Sequence, residues 1–159
     1  MTSLTSVIDD LRAVTVFAAE YEGPKVPSSI EQKLAALLRI YPQLQDYGTY
    51  LEFLRTTGGA HIHTPIFSLG IYGFAGYIVR SFDEGLELDQ NKYFVFADFI
   101  YCTQKSPRYY FSFDFASEGE FVFMVIDEEP DFTLYCNSFL DFLSMIAKGQ
   151  YPNLTVAPK

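Results

Sequence analysis

The first residues of the chain place apolar side chains three and four positions apart, which is typical of an amphipathic helix. The pattern runs over residues 3–21 and predicts a helix that Gly23-Pro24 ends. The predicted buried face consists of Leu4, Val7, Ile8, Leu11, Val14, Phe17, Ala18 and Tyr21.

Two further helices are predicted before residue 60. Ser28-Ser29-Ile30-Glu31 has the form of a capping box, so the second helix begins at Ser28 or Ser29 and stops before Pro42. The third helix covers about 45–57. Gly58-Gly59 ends it, because glycine adopts the left-handed conformation that follows many helices without a steric penalty.

The second half of the chain changes to patterns typical of β-strands. Residues 64–80 mix aromatic and aliphatic residues with three glycines, which predicts short strands with bends. Residues 93–101 are almost continuously apolar, as expected of a central strand buried on both faces. Ser117-Glu118-Gly119 predicts a hairpin turn, followed by a returning strand at 120–126. Residues 109–115 alternate, so one face of that strand should carry Tyr109, Phe111, Phe113 and Phe115.

The last part of the chain predicts an acidic loop, a short strand and a closing helix. The loop covers residues 127–131 and the strand 132–135. Ser138 is a suitable N-cap for a helix over about 138–148 that buries Phe139, Phe142, Leu143 and Ile146. Because no repeat or linker interrupts the chain, the sequence predicts one α+β domain over residues 1–159.

Composition limits the class and the location of the protein. Hydrophobic residues make up 49% and charged residues 19%, which is typical of a globular chain and not of a disordered one. The sequence contains no run of about 18 apolar residues, so no membrane span is expected. Asp9-Asp10 interrupts the first apolar segment, so no secretory signal is expected either. Cys102 and Cys136 are too few for a disulfide framework and fit a reducing compartment. We therefore expect a cytoplasmic protein.

The net charge of −9 comes from the middle of the chain. Residues 1–80 have a net charge of −1 (seven acids, six bases) and residues 136–159 of +1 (one acid, two bases). Residues 81–135 contain twelve acids and three bases, a net charge of −9. Such a segment repels phosphate backbones, which argues against nucleic-acid binding, and it attracts a basic partner. A solubilising surface without any partner is the simpler alternative.

Four segments carry motifs in a fixed order. The first contains Pro42, Asp46, Tyr47, Phe53, Leu54, Gly58 and Gly59. It is followed by Phe94-Val95-Phe96-Ala97-Asp98, by Tyr110-Phe111-Ser112-Phe113-Asp114 and by Ser138-Phe139-x-x-Phe142-Leu143. Together these motifs resemble the hallmarks of the SUKH superfamily, the domains of the Smi/Knr type, over about residues 28–148.

The resemblance implies an α+β fold in which helices pack against one mixed, mostly antiparallel sheet. Many bacterial members are immunity proteins, which neutralise polymorphic or contact-dependent toxins inside the producing cell, and eukaryotic relatives regulate cell-wall assembly. The resemblance thus implies a non-catalytic protein-binding domain of the immunity type. The alternative is a cytosolic regulatory or scaffold module that binds a basic protein.

Candidate catalytic and metal-binding residues are few, and we expect no enzyme and no cofactor. His61 and His63 would face the same side if they lay on a strand, but no third ligand is spaced to complete a metal site with them and Asp98. A polar loop after Gly58-Gly59 is the simpler interpretation of this segment. Asp98 and Asp114 could act as paired carboxylates, although a structural role in accepting hydrogen bonds suits both better. Neither cysteine has the local signature of a catalytic nucleophile.

The acidic clusters are the candidate partner-binding surface. One consists of Asp83, Glu84, Glu87 and Asp89, and the other of Asp127, Glu128, Glu129 and Asp131. Many toxins are nucleases with basic clefts, so an acidic inhibitor could imitate the phosphate backbone that such a cleft binds. Tyr93 and Phe132 adjoin the clusters and are expected to be exposed aromatic anchors. The predicted partner is a basic toxin domain, with neither nucleic acid nor a membrane involved.

Overall fold

The computed structural model describes residues 3–19, 29–72, 92–103, 105, 107–126 and 129–152. Its helices pack together on one side of a β-sheet. They are α1 (Leu4–Val14), α2 (Ser29–Ile40), a 3-10 helix (Pro42–Asp46), α3 (Gly48–Thr57) and α4 (Phe139–Ala147). Within the described part of the chain, no helix has both the length and the apolar character needed to cross a membrane.

Seven strands form one sheet in which spatial order follows chain order, from β1 to β7. All six neighbouring pairs are antiparallel, so the described sheet is antiparallel throughout and not mixed. The α+β prediction is confirmed. The strands are β1 (Val16–Ala19), β2 (Ala60–His63), β3 (Phe67–Ile71), β4 (Tyr93–Tyr101), β5 (Tyr109–Asp114), β6 (Val122–Ile126) and β7 (Glu129–Cys136).

An aromatic core joins α3 and α4 to the centre of the sheet. Phe139 of α4 meets Tyr50 and Phe53 of α3 with ring centroids 5.3 and 5.4 Å apart. Phe142 of α4 packs on Phe111 of β5 at 4.6 Å. These edge-to-face and tilted contacts are the arrangements that aromatic quadrupoles favour. We call this side of the sheet the helix face.

A bulge in β4 adds one more ring to this core. The register with β5 shifts between Val95 and Ala97, which leaves Phe96 as the extra residue. Its ring stacks on Phe113 at 4.5 Å and meets Phe142 edge-on at 5.4 Å. The bulge therefore allows consecutive residues of β4 to contribute to the helix face.

The side of the sheet away from the helices, the opposite face, is also buried at its centre. Val95, Tyr110, Ser112 and Val125 alternate with the residues of the helix face, and all four are buried. The prediction that residues 93–101 form a central strand buried on both faces is confirmed. β5 has the predicted odd-numbered face, but its even-numbered residues Tyr110 and Ser112 are buried as well.

The predicted first helix is too long. α1 ends at Val14, and Thr15 is extended with φ −136° and ψ 170°. The hydroxyl of Thr15 donates to the Leu11 carbonyl at 2.6 Å, which satisfies a terminal carbonyl of the helix. Residues 16–19 then pair with β2. Phe17 is buried as part of β1, and its spacing also fits the buried face of a longer helix. The apolar spacing alone therefore could not separate helix from strand.

Two other boundaries differ from the sequence prediction. The third helix begins at Gly48 and not near 45, because Pro42–Asp46 forms a separate 3-10 turn. The predicted acidic loop is wrong from residue 129 onward, since Glu129 already belongs to β7. Gly58 ends α3 in the left-handed conformation, at φ 72°, as predicted. Ser28, Gly23-Pro24 and residues 73–80 lie outside the described residues.

Candidate protein-binding surface

The structure tests only part of the predicted acidic surface. The first cluster, Asp83, Glu84, Glu87 and Asp89, lies outside the described residues, as do Asp127 and Glu128. The backbones of Glu129 and Asp131 are described and belong to β7, the last strand of the sheet. The second acidic cluster therefore leads into an edge strand and not into a separate loop.

The structure brings the two predicted aromatic anchors together. The rings of Tyr93 and Phe132 stack with centroids 4.1 Å apart and an interplanar angle of 12°. Tyr93 lies on the opposite face, because its neighbour Phe94 points to the helix face. The stack spans β5 and β6, which separate β4 from β7. Both residues are only partly exposed and are paired with each other, and their role as anchors stays a prediction.

A cation lies beside this stack. The Lys92 ammonium is 5.1 Å from the centroid of the Tyr93 ring, within the range of a cation–π contact. The Lys92 carbonyl accepts a hydrogen bond from Phe115 at 2.7 Å, which fixes the start of β4 beside the end of β5. Lys92 thus contacts the Tyr93 ring with its side chain and joins β4 to the end of β5 with its backbone.

A groove of about 330 Å³ runs between β7 and α4. Tyr135, Asn137, Asp141, Ser144 and Lys148 contribute to its walls. The Tyr135 ring packs on Phe111 at 5.0 Å and its hydroxyl donates to the Gln150 carbonyl at 3.2 Å. The groove therefore has a rigid aromatic wall on the strand side and polar residues on the helix side.

An acidic cleft surrounds Tyr47 and was not predicted from the sequence. The cleft measures about 430 Å³, and Asp46, Tyr47, Phe115 and Glu118 are among its lining residues. The Tyr47 hydroxyl donates to the Asp114 carbonyl at 3.3 Å. Burial, reinforced by nearby carboxylates, raises the pKa of Tyr47 to about 12. The available signal was the three acids Asp114, Glu118 and Glu120, which were predicted to lie in a strand, a hairpin turn and the returning strand.

Glu120 holds the start of α3 from across the fold. The backbone N–H of Thr49 donates to the Glu120 carboxylate at 3.3 Å. Tyr47, the residue before α3, has no side-chain cap of its own, so Glu120 supplies the missing acceptor. Burial raises the pKa of the Glu120 carboxyl, and hydrogen bonds from the helix N-terminus partly offset this effect. Glu120 is therefore a structural carboxylate rather than part of an exposed surface.

Asp98 and Asp114 do not form a pair of catalytic carboxylates. Asp98 is opposite Tyr110 on β5, and Asp114 is four residues further along that strand, about 13 Å away. Asp98 instead accepts a hydrogen bond from Arg108 at 2.7 Å, and an Asp114 oxygen accepts one from the Ala116 N–H at 2.9 Å. Both carboxylates make structural contacts.

His61 and His63 lie on the same face of β2, so the prediction of a polar loop at this segment is wrong. Their ring centroids are 5.4 Å apart, and His61 Nε2 is 2.7 Å from the Ser68 hydroxyl. Among the described residues, no group of three or more potential ligands could hold a metal ion. Cys102 and Cys136 are free thiols, and burial raises the pKa of Cys136 to about 12.

The residues that carry the SUKH resemblance lie mainly in the core. Phe53, Leu54, Phe139 and Phe142 are fully buried, and Gly58 and Gly59 have positive φ angles. These motif residues therefore hold α3 and α4 against the sheet. A comparison with protein-family models finds no match for the chain, and a search of curated proteins finds no significant relative.

Proposed function

We propose that this chain is a non-catalytic protein-binding domain, an immunity protein that binds and neutralises a cognate toxin in the cytoplasm of the producing cell. The observation that carries the proposal is the charge of residues 81–135, which contain twelve acids and three bases. A field of this strength accelerates the approach of a basic protein and repels phosphate backbones. The partner we propose is a basic toxin domain, such as a nuclease.

The described geometry supports binding by a surface rather than by a catalytic centre. Asp98 is used in an ion pair with Arg108 at 2.7 Å, and Glu120 caps α3. The raised pKa keeps the Cys136 thiol protonated near neutral pH, which makes it a poor nucleophile. The carboxylates that we propose for a partner are those of the two acidic clusters. The more specific proposal of toxin neutralisation rests on the resemblance to SUKH domains.

The test is protection against the product of a neighbouring toxin gene. The C-terminal domain of a large protein encoded immediately upstream would be purified with and without this chain, and its activity measured in both states. We expect a stable complex and loss of toxin activity. Binding without neutralisation would favour the alternative of a regulatory or scaffold module, and absence of binding would refute the immunity proposal.

A charge-reversal pair tests the acidic surface itself. We expect Glu128→Lys with Glu129→Lys to weaken the complex by roughly tenfold or more at low salt. The matched control is Asp9→Lys with Asp10→Lys, which changes the net charge equally at two exposed positions of α1. Equal affinities for the two variants, measured by calorimetry, would show that the cluster beside β7 is not the binding surface.

A further inference from the structure

Two histidine side chains lie next to each other on the opposite face, beside the edge of the sheet that β1 forms. They are His61 and His63 of β2, the only two histidines of the chain. Strand pairing places His61 in one row with Gly70, Asp98 and Tyr110, and Tyr110 belongs to the opposite face. His61 is exposed and His63 is partly exposed, so solvent reaches this pair.

The separation of the two rings is that of a metal chelate. Their centroids are 5.4 Å apart. A zinc–nitrogen bond of about 2.1 Å puts the ion about 3.2 Å from each ring centroid, and a tetrahedral angle at the ion then puts the two centroids about 5.3 Å apart. The two side chains are therefore already at the distance that a shared ion requires, and the backbone of β2 does not have to move.

The hydrogen bonds around the pair leave one nitrogen of each ring for an ion. His61 Nε2 is 2.7 Å from the Ser68 hydroxyl. When Nε2–H donates to this oxygen, the Nδ1 lone pair of His61 is free, which is the usual arrangement of a metal-binding histidine. His63 Nδ1 is buried and has no hydrogen-bond partner in the part of the chain that the structure describes. An unsatisfied buried nitrogen is costly, and a bound ion would satisfy it.

The protein supplies two ligands at this position and not three. Asp98, the carboxylate in the same row, accepts a hydrogen bond from Arg108 at 2.7 Å, and it does not form a three-ligand group with the histidines. Imidazole nitrogens suit Zn²⁺, Ni²⁺ and Cu²⁺, whereas Ca²⁺ and Mg²⁺ prefer oxygen. Water would fill the other coordination positions, so the site would be open, in contrast to the four protein ligands of a structural zinc site.

We propose that His61 and His63 chelate one divalent transition-metal ion, of the class of Zn²⁺ and Cu²⁺, through their Nδ1 atoms, with water in the remaining coordination positions. Ser68 is a positioning residue, because it contacts His61 and not the ion. This inference goes beyond the proposed function and does not depend on it. An ion with open positions can also accept a donor atom from a second molecule.

A titration with Zn²⁺ followed by NMR tests the site. Long-range ¹H–¹⁵N spectra report the ring nitrogens of histidine, and only His61 and His63 contribute. We expect the Nδ1 signals of both rings to shift together and to saturate at one ion per chain. His61→Gln and His63→Gln should each weaken binding by at least roughly tenfold. Unchanged ring signals, which binding to carboxylates elsewhere would give, or a shift of one ring alone would overturn the inference.

An added histidine provides a test by gain of affinity. Val16 of β1 pairs directly with His63 and is 56% exposed, so Val16→His places a third imidazole beside the pair. This variant should bind Zn²⁺ at least roughly tenfold more tightly. The matched control is Leu134→His, at an equally exposed position of β7 on the other side of the sheet, and it should change the affinity by less than about twofold.

Ser68→Ala tests the positioning role. It should weaken Zn²⁺ binding by roughly tenfold, while the Nδ1 signals of both rings still respond to the ion. Thermal unfolding of each variant without metal shows that the fold is kept. Equal gains for Val16→His and Leu134→His, or an unchanged affinity after the loss of His61 or His63, would overturn the inference. Toxin neutralisation is measured separately, so the two proposals fail independently.

Discussion

Truncating the Tyr93–Phe132 stack is expected to reveal an energetic coupling between two residues that are far apart in the sequence. The rings lie 4.1 Å apart and are nearly parallel. Each truncation to alanine should cost about 2 kcal/mol, about 1 from the lost burial of a partly buried ring and about 1 from the ring pair. The double variant loses the pair only once. It should therefore cost about 3 rather than about 4 kcal/mol, a coupling of about 1 kcal/mol.

Urea unfolding followed by circular dichroism would measure these values for the wild type, Phe132→Ala, Tyr93→Ala and the double variant. Tyr93→Phe is the control, because it keeps the ring and should remain within about 0.5 kcal/mol of the wild type. Additive losses, with a coupling below about 0.3 kcal/mol, would refute the stack as a structural contact. In that case the two residues would again be candidates for exposed anchors of a partner.

Three further predictions concern α3, Glu120 and the cysteines. Gly58→Ala should lower the free energy of unfolding by about 1 kcal/mol because φ is 72° there, whereas Gly48→Ala at the start of the same helix meets open space and should not destabilise; thermal unfolding of both variants checks this. The raised pKa of Glu120 stabilises the fold below its unfolded pKa, and this contribution is lost as pH rises through the folded pKa. The wild type should therefore lose stability relative to Glu120→Gln as the pH rises above about 4.5, the ordinary pKa of a glutamate. A stability difference that does not change with pH would contradict the assignment. A thiol reagent at pH 8 should modify the exposed Cys102 and leave Cys136 unmodified until the protein unfolds, which mass spectrometry of the labelled peptides would decide.

The periodicity of apolar residues predicted the presence of helices and strands better than it predicted where they end. The 3–21 pattern fitted a helix throughout, yet Thr15 ends α1 and Phe17 reaches the core from a strand. A single apolar residue beyond a helix terminus fits both the helical and the strand periodicity. Only the pairing of residues 16–19 with β2 shows that they form a strand. The acids and Pro130 indicated a loop, but edge strands tolerate both charge and proline. Local sequence could not predict that β7 is an edge.

The candidate surface depended on contacts that the sequence does not encode locally. The alternation of apolar and polar residues assigned side chains to faces of the sheet but did not give the order of the strands. The contact between Tyr93 and Phe132 therefore could not be predicted from the sequence. The Glu120 cap links residues 71 positions apart. The charge excess was visible from the sequence, whereas the fold was needed to show that Glu129 and Asp131 belong to the last strand of the described sheet.

The agreement between strand order and chain order has a consequence for how the protein folds. β4 to β7 can form as successive hairpins, which close short loops and are kinetically favoured. β1 differs, because about 40 residues, including α2 and α3, separate Ala19 from Ala60. We expect β1 to join the sheet last. Until it does, Ala60–His63 of β2 is a temporary edge, and mispairing between nascent chains should concentrate on this strand.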